Sequence, residues 1–183
     1  RGGSEGDIFK PAYGEKFPFI FLGCYNNLNI WPNMGCIYDK EDRPCRFCCL
    51  PEGYAEERML SYSPEWFEEM AEAVELAVEE IGPEIGQCTI IVNGGTLPGR
   101  DKGARVHIQV LEAIRKRLGS LPKMVAIRAV LEPPLDEEWL YALREAGFTS
   151  LKMDVDVYDE EERKKVMPNA KGFRPLKDYE QAF

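Results

Sequence analysis

The feature that most restricts the fold of this chain is a repeated alternation of short apolar segments and amphipathic segments. Residues 89–92 and 124–127 form apolar runs, and each run is followed by a segment whose apolar residues recur at helical spacing. Strands that are apolar at nearly every position are typical of a parallel sheet covered on both faces. Four strand–helix repeats therefore predict an α/β fold with a parallel sheet.

Turn and capping residues set the limits of these elements. The predicted strands cover residues 17–22, 89–92, 124–127 and 150–157, and the predicted helices cover residues 64–81, 104–118, 136–146 and 160–166. Ser63 and Asp136 are the expected N-caps of the first and third helices, and Pro64 suits a first helical position. The alternation does not distinguish a doubly wound sheet from a barrel-type sheet, but ligands bind at the carboxyl ends of the strands in both.

The longest stretch without periodicity, residues 24–62, contains most of the cysteines. It is rich in Asn, Pro and Gly, so we expect an irregular loop, and long loops of this kind are often functional. Five of the six cysteines lie in it: Cys24, Cys36, Cys45, Cys48 and Cys49. Clustered thiols of this kind indicate a metal site rather than a disulfide framework.

Two kinds of metal site fit these cysteines. Cys45 and Cys48 stand one tight turn apart, and Cys36 precedes them, so three thiolates could bind three irons of a [4Fe-4S] cluster. A zinc site with four cysteine ligands is the alternative; its ligands would be Cys24, Cys36, Cys45 and Cys48. The cysteine loop by itself leaves both open.

With this loop, the chain from Phe17 to Phe183 resembles the radical S-adenosylmethionine (SAM) superfamily, and within it the biotin synthase-like branch. The resemblance implies that Cys36, Cys45 and Cys48 bind a [4Fe-4S] cluster, with Phe47 as the aromatic residue before the last cysteine. The family usually has three residues between its first two cysteines, whereas eight separate Cys36 from Cys45. Cys24 therefore stays open as the first ligand, and Cys49 as a substitute for the last.

Two further segments carry the resemblance and imply contacts with SAM, and Arg128 joins them through its position at a predicted strand end. Residues Asn93, Gly94, Gly95 and Thr96 resemble the Gly-Gly-Glu element that receives the SAM amino group, with Thr96 in place of the acidic residue. Asp154 and Asp156 resemble the residues that meet the ribose, and period-two alternation would put them on one side of a strand. Arg128 would meet the SAM carboxylate or a substrate acid, or else pair with Glu132.

The resemblance also implies a function. A radical SAM enzyme reduces its cluster and cleaves SAM, and the resulting 5′-deoxyadenosyl radical abstracts hydrogen from a substrate. It implies a small-molecule substrate, which these residues do not identify, and an external electron donor such as a flavodoxin or a ferredoxin. A zinc-binding structural module and an iron-sulfur electron carrier are the alternatives from other classes.

Length and charge complete the expectations. Residues 1–16 are Gly-rich and predict a flexible extension, and the length suits one domain over residues 17–183. The resemblance implies that this domain is a partial TIM-type barrel of about four βα units that is cut short at its C-terminus. A net charge of −9 disfavours a nucleic-acid surface. No apolar run approaches the roughly 18 residues of a membrane span, and no secretory signal is visible, so we expect a cytoplasmic protein.

Overall fold

A computed structural model describes residues 20–23, 27–33, 35–48, 62–121 and 123–182 of the chain. Within these ranges it contains one five-stranded sheet and a set of helices that follow the strands. The predicted extension, residues 1–16, lies outside the described residues, as do Cys24 and Cys49.

The strands and helices follow one another in the predicted alternation. The strands are β1 (Ile20–Gly23), β2 (Asn27–Asn33), β3 (Thr89–Gly94), β4 (Ala126–Val130) and β5 (Ser150–Lys152). The helices are α1 (Ile37–Lys40), α2 (Pro64–Ile81), α3 (Ala104–Leu118), α4 (Glu138–Ala146), α5 (Glu160–Val166), α6 (Ala170–Phe173) and α7 (Leu176–Gln181), with a 3-10 helix, Gly82–Gln87, before β3. No helix in the described part of the chain has both the length and the apolar character needed to cross a bilayer.

The parallel sheet is confirmed, but its first strand is not the predicted one. The sheet has the order β1-β2-β3-β4-β5, and the pairs from β2 to β5 are all parallel. β1, which overlaps the predicted strand at residues 17–22, pairs antiparallel with β2. β2 itself lies inside the stretch that we predicted to be irregular. Its asparagines have low β-propensity, and for that reason we did not predict a strand there, although Leu28 and Ile30 are buried at alternate positions.

Register places the buried strand residues in rows under one layer of helices. Leu28 pairs with Ile90, and Ile90 with Ile127, so that three aliphatic side chains lie side by side on one face of the sheet. They belong to one core cluster with buried residues of α2 and α3, such as Met70 and Leu111. α2 contacts α3, and α3 contacts α4. The helices that connect consecutive strands are thus neighbours of one another.

The order of the strands fixes the place where their loops meet. Consecutive parallel strands are also neighbours in the sheet, so the loops that follow β2, β3, β4 and β5 all leave from the same edge. A doubly wound sheet reverses its strand order at a switch point. Among the described strands the order does not reverse.

The predicted ends of the elements are partly confirmed. Ser63 caps α2 as expected, since its hydroxyl oxygen accepts from the Trp66 amide at 3.2 Å. Asp136 is not the N-cap of α4, which begins at Glu138, because its carboxylate pairs with Arg100 instead. β5 ends at Lys152, five residues before the predicted end of that strand.

Two positions of α2 should show how much stability the sheet–helix core contributes. Met70 has no exposed surface, whereas Leu76 on the same helix is 36% exposed. We expect Met70→Ala to lower the free energy of unfolding by about 2–5 kcal/mol, because it leaves a cavity. Leu76→Ala is the matched control and should change the free energy by about 0.5 kcal/mol. Equal losses in urea denaturation would contradict this description of the core.

Candidate functional site

One cavity at the carboxyl edge of the sheet is lined by nearly all the residues predicted to bind a cofactor. Every predicted site residue except Arg128 lines it, although they come from three strand ends and the loops that follow them: Cys36, Cys45, Phe47, Cys48, Asn93, Gly94, Gly95, Thr96, Asp154 and Asp156. The remaining lining residues include Tyr38, Glu132 and Lys171. The structure therefore brings together side chains that lie up to 120 positions apart, as the strand-end rule predicts.

The three described cysteines of the loop all line the cavity. Cys36 precedes the short helix α1, and its carbonyl oxygen accepts from the Asp39 and Lys40 amides. Cys45 and Cys48 belong to one tight turn, in which the Cys48 amide donates to the Cys45 carbonyl oxygen at 3.0 Å. All three are half-buried, and none is in a disulfide within the described part of the chain. Their thiols are accessible from the cavity.

The electrostatic surroundings of Cys45 act in two directions. Burial raises the pKa of its thiol, while a hydrogen bond from Asn169 and the positive charge of Lys171 counteract part of that rise. A metal or cluster binds the thiolate form, which the last two groups favour. Asn169 and Lys171, more than 120 positions later in the chain, are thus part of the environment of Cys45.

The described cysteines are not gathered around a single point. Among the residues that the structure describes, no three His, Cys, Asp or Glu side chains form a group that could hold one metal ion. The ligands of a tetrahedral zinc ion lie about 2.3 Å from it, and therefore within about 4 Å of one another. The ligands of an iron-sulfur cluster bind separate irons, so that their sulfur atoms stand farther apart.

The Gly-Gly turn after β3 packs directly against the backbone that leads to Cys36. A Cβ atom on Gly95 would lie 2.8 Å from the Cβ of Cys36 and closer still to the Gly35 carbonyl oxygen. A Cβ on Gly94 would lie 2.8 Å from Cγ of Asn33. The sequence suggested that the glycines let a ligand approach the backbone. In the structure they also allow the cysteine loop to approach it.

Hydrogen bonds hold these two segments together. Nδ2 of Asn33, at the end of β2, donates to the carbonyl oxygens of Gly35 at 3.0 Å and Gly95 at 2.8 Å. The Ile37 amide, directly after Cys36, donates to the Thr96 carbonyl oxygen at 2.9 Å. The carbonyls of Gly95 and Thr96 therefore already accept from the protein, and a ligand amino group would have to share them.

Glu132, directly beyond β4, is a buried carboxylate with partners from three other segments. Tyr38 donates to its Oε2 at 2.7 Å, Arg174 donates to its Oε1 at 3.4 Å, and the Lys102 ammonium lies 3.8 Å from the same oxygen. Burial and the neighbouring Glu132 carboxylate raise the pKa of Tyr38 well above its usual range. Sequence reasoning noted Glu132 at a strand end but gave no sign of Tyr38 or Arg174 as its partners.

Arg128 does not line this cavity. β4 extends to Val130, so Arg128 lies inside the strand rather than at its end, where we predicted it. Its Nε donates to the Ser150 hydroxyl at 3.2 Å, and Glu132 takes its ion-pair partners elsewhere. The predicted Arg128–Glu132 pair is therefore not formed, because the strand is longer at its carboxyl end than the apolar run indicated.

Asp154 and Asp156 both line the cavity, but not through strand alternation. β5 has ended before them, and Asp156 adopts a left-handed backbone conformation with φ of 62°. Each carboxylate is paired with a lysine: Asp154 with Lys152 at 3.1 Å, and Asp156 with Lys171. Burial opposes the charge of Lys171, but the hydrogen bond and charge of Asp156 prevail and raise the pKa of its ammonium.

Comparison with known proteins does not indicate a function for this chain. No protein-family model matches this chain, and no curated protein matches it in sequence. A function must accordingly be argued from the cavity and from the chemistry of the side chains around it.

The close approach at Gly95 can be tested against a glycine that has room. Gly95→Ala should lower the free energy of unfolding by about 1–3 kcal/mol, because the added methyl group must displace backbone around Gly35. Gly86→Ala is the control, since a Cβ there would lie at an ordinary 3.7 Å from the Lys123 carbonyl oxygen. If chemical denaturation shows similar stability for both variants, the two segments are not packed as described.

Glu132 should contribute more to stability than an ion pair at the surface. Removing the carboxylate by Glu132→Ala leaves Arg174 and Lys102 without their buried counter-charge, and we expect a loss of about 3–5 kcal/mol. Asp136→Ala breaks the exposed pair with Arg100 and should cost much less. Urea denaturation of both variants measures the difference, and comparable losses would mean that Glu132 is not the centre of a buried network.

Proposed function

We propose that this chain is part of a radical SAM enzyme that binds a [4Fe-4S] cluster through Cys36, Cys45 and Cys48 and binds SAM beside it. The observation that carries the proposal is the common cavity. Residues at three strand ends that resemble one family's motifs line the same cavity, whereas Arg128, predicted at a fourth strand end, does not. The parallel sheet brings these segments to one edge, as the strand-end rule predicts, and the resemblance gives the residues that meet there a common ligand.

The donor set in the cavity suits an iron-sulfur cluster. Three half-buried cysteines, from two separate parts of one loop, offer soft ligands to three irons and leave a fourth position for a small molecule. When bound and reduced, such a cluster supplies the electron with which SAM is cleaved, and so the radical that abstracts hydrogen from the substrate. The protein supplies the binding, the orientation and the exclusion of side reactions.

The residues next to the cysteines suit SAM in both shape and charge. Phe47 is 56% exposed, lines the cavity and offers an aromatic ring beside the last cysteine. Asp154 and Asp156 offer carboxylate oxygens that can accept from ribose hydroxyls, and an ionised carboxylate has about four lone-pair sites, so a lysine partner leaves room for further donors. The Gly-Gly turn adds backbone groups to the lining of the same cavity.

The order of the strands supports a barrel-type sheet. Neighbouring strands are consecutive in the chain, and the connecting helices α2, α3 and α4 pack against one another in sequence. A partial TIM-type barrel would have the same order from β2 to β5, and the sites of such barrels lie at the carboxyl ends of their strands. We propose this architecture for residues 17–183, with a small-molecule substrate, an external flavodoxin-like or ferredoxin-like electron donor and a cytoplasmic location.

Anaerobic reconstitution tests the proposal directly. We expect about four irons and four sulfides per chain, and an electron paramagnetic resonance (EPR) signal of the reduced protein that changes when SAM is added. Cys36→Ala, Cys45→Ala and Cys48→Ala should each lose the cluster, whereas Cys88→Ala, at the buried start of the β3 region and outside the cavity, should keep it. The iron content of Cys24→Ala and Cys49→Ala will show whether Cys24 binds the cluster in place of Cys36, or Cys49 in place of Cys48.

Other results would identify the alternatives. Stoichiometric zinc without iron would indicate a structural zinc module. A cluster whose signal is indifferent to SAM would indicate an electron carrier in which the protein binds all four irons. Either result would contradict the proposed enzyme, because the reaction needs an iron that SAM can reach.

A further inference from the structure

The backbone around Cys45 is held from both sides by one distant segment. Nδ2 of Asn169 donates to the Arg43 carbonyl oxygen at 2.9 Å, from 126 positions along the chain. The Arg46 amide donates to the Val166 carbonyl oxygen at 2.8 Å. We refer to residues 166–172 as the clamp turn. Cys45 lies between the two bonds that the clamp turn makes.

The clamp turn also reaches the sulfur atom. Nδ2 of Asn169 lies 3.4 Å from Sγ of Cys45, within range of an N–H···S hydrogen bond. On its other side, Oδ1 of Asn169 accepts from the amides of Lys171 at 3.0 Å and Gly172 at 3.4 Å. These two bonds fix the orientation of the side-chain amide, so that its NH₂ group faces the cysteine loop. Asn169 has no exposed surface, which keeps water from competing for these bonds.

The clamp turn is itself closely packed. A Cβ on Gly172 would overlap the Met167 carbonyl oxygen, so the turn closes on itself at that point. The buried Arg163 donates to the carbonyl oxygens of Gly172 at 3.2 Å and Arg174 at 3.0 Å. A donor held in this way keeps its position relative to Cys45.

Lys171 places a positive charge on the cavity side of the same turn. Its ammonium pairs with Asp156, and both line the cavity together with Cys36, Cys45 and Cys48. Asp156 adopts its left-handed conformation where it meets this lysine. The clamp turn therefore presents a hydrogen-bond donor and a cation to one group of thiolates.

We propose that the clamp turn sets the reduction potential of the cluster that the cysteines bind, through the Asn169 hydrogen bond to Cys45 and the charge of Lys171. The inference rests on the proposed function. Reduction adds one electron, and therefore one negative charge, to the cluster. Hydrogen bonds to the cysteine sulfurs and nearby positive charge stabilise that added charge, so both groups raise the potential. Asn169 and Lys171 are thus positioning and tuning residues and not cluster ligands.

Two variants separate the contributions of the clamp turn from its structural role. Asn169→Ser retains a capping oxygen for the start of α6 but is too short to donate to Cys45. Lys171→Met removes the charge and keeps most of the side-chain length. Lys177→Met is the matched control, since Lys177 is exposed on α7 and does not line the cavity. Far-UV circular dichroism and thermal unfolding establish that each variant is folded.

The measurement is an anaerobic redox titration of the reconstituted wild type and the three variants, with dithionite as the one-electron donor and the EPR signal as the readout. We expect more negative midpoint potentials for Asn169→Ser and Lys171→Met and an unchanged potential for Lys177→Met. Four equal potentials, or equal shifts for Lys171→Met and Lys177→Met, would overturn the inference and leave the proposed function intact. If Asn169→Ser does not fold, the midpoint potential of Lys171→Met tests the inference. A wild type that forms no cluster would overturn both.

Discussion

A buried carboxylate holds together the loops on which the candidate site is built. The Glu132 side chain is 3% exposed, and burying an ionised group at that depth is unfavourable unless charges and donors surround it. Its partners Tyr38, Lys102 and Arg174 come from the cysteine loop, the loop after β3 and the segment before α7. Arg174 also donates to the carbonyl oxygens of Pro133 and Pro134, which closes the network around the end of β4. A displacement of any one of these loops would leave a buried charge without its partner.

The neighbouring wall of the cavity depends on close backbone contact rather than on charge. Asn33 and the Gly-Gly turn bring the end of β2 and the end of β3 together through two carbonyl acceptors. Within the described residues, Oδ1 of Asn33 is buried without a partner, a cost that the two bonds of its Nδ2 offset. The contact is possible only because Gly94 and Gly95 have no side chain. The Glu132 network and the close packing at the Gly-Gly turn thus both position the cysteine loop.

The sequence was informative where local patterns determine structure. The apolar runs of β3 and β4 and the Ser63 cap of α2 were sufficient for the order of the elements, and the strand-end rule was sufficient to bring the predicted site residues to one edge. β2 was missed because Asn27 and Asn29 alternate with its buried residues and lower its apparent β-propensity. The ends of β4 and β5 were misplaced, which changed the positions of Arg128, Asp154 and Asp156. Tyr38 lies 94 positions from its partner Glu132, and Asn169 lies 124 positions from Cys45, and no local pattern contains such contacts.

The part of the cysteine loop that the structure describes is held by residues far away in the chain. From the sequence we expected an irregular loop with a metal site. The bonds around it come from the protein: the Thr96 carbonyl oxygen fixes the start of α1, Glu132 fixes Tyr38, and the clamp turn fixes the residues on either side of Cys45. In small zinc domains the free energy of metal binding is largely spent on folding. The protein already bonds the cysteine loop at three places, so less of the free energy of metal binding is needed to order the loop. More of that free energy then remains to discriminate between the groups that could bind. The same bonds make the positions of the cysteines depend on distant residues, and this is why substitutions in the clamp turn should affect the properties of the site without removing it.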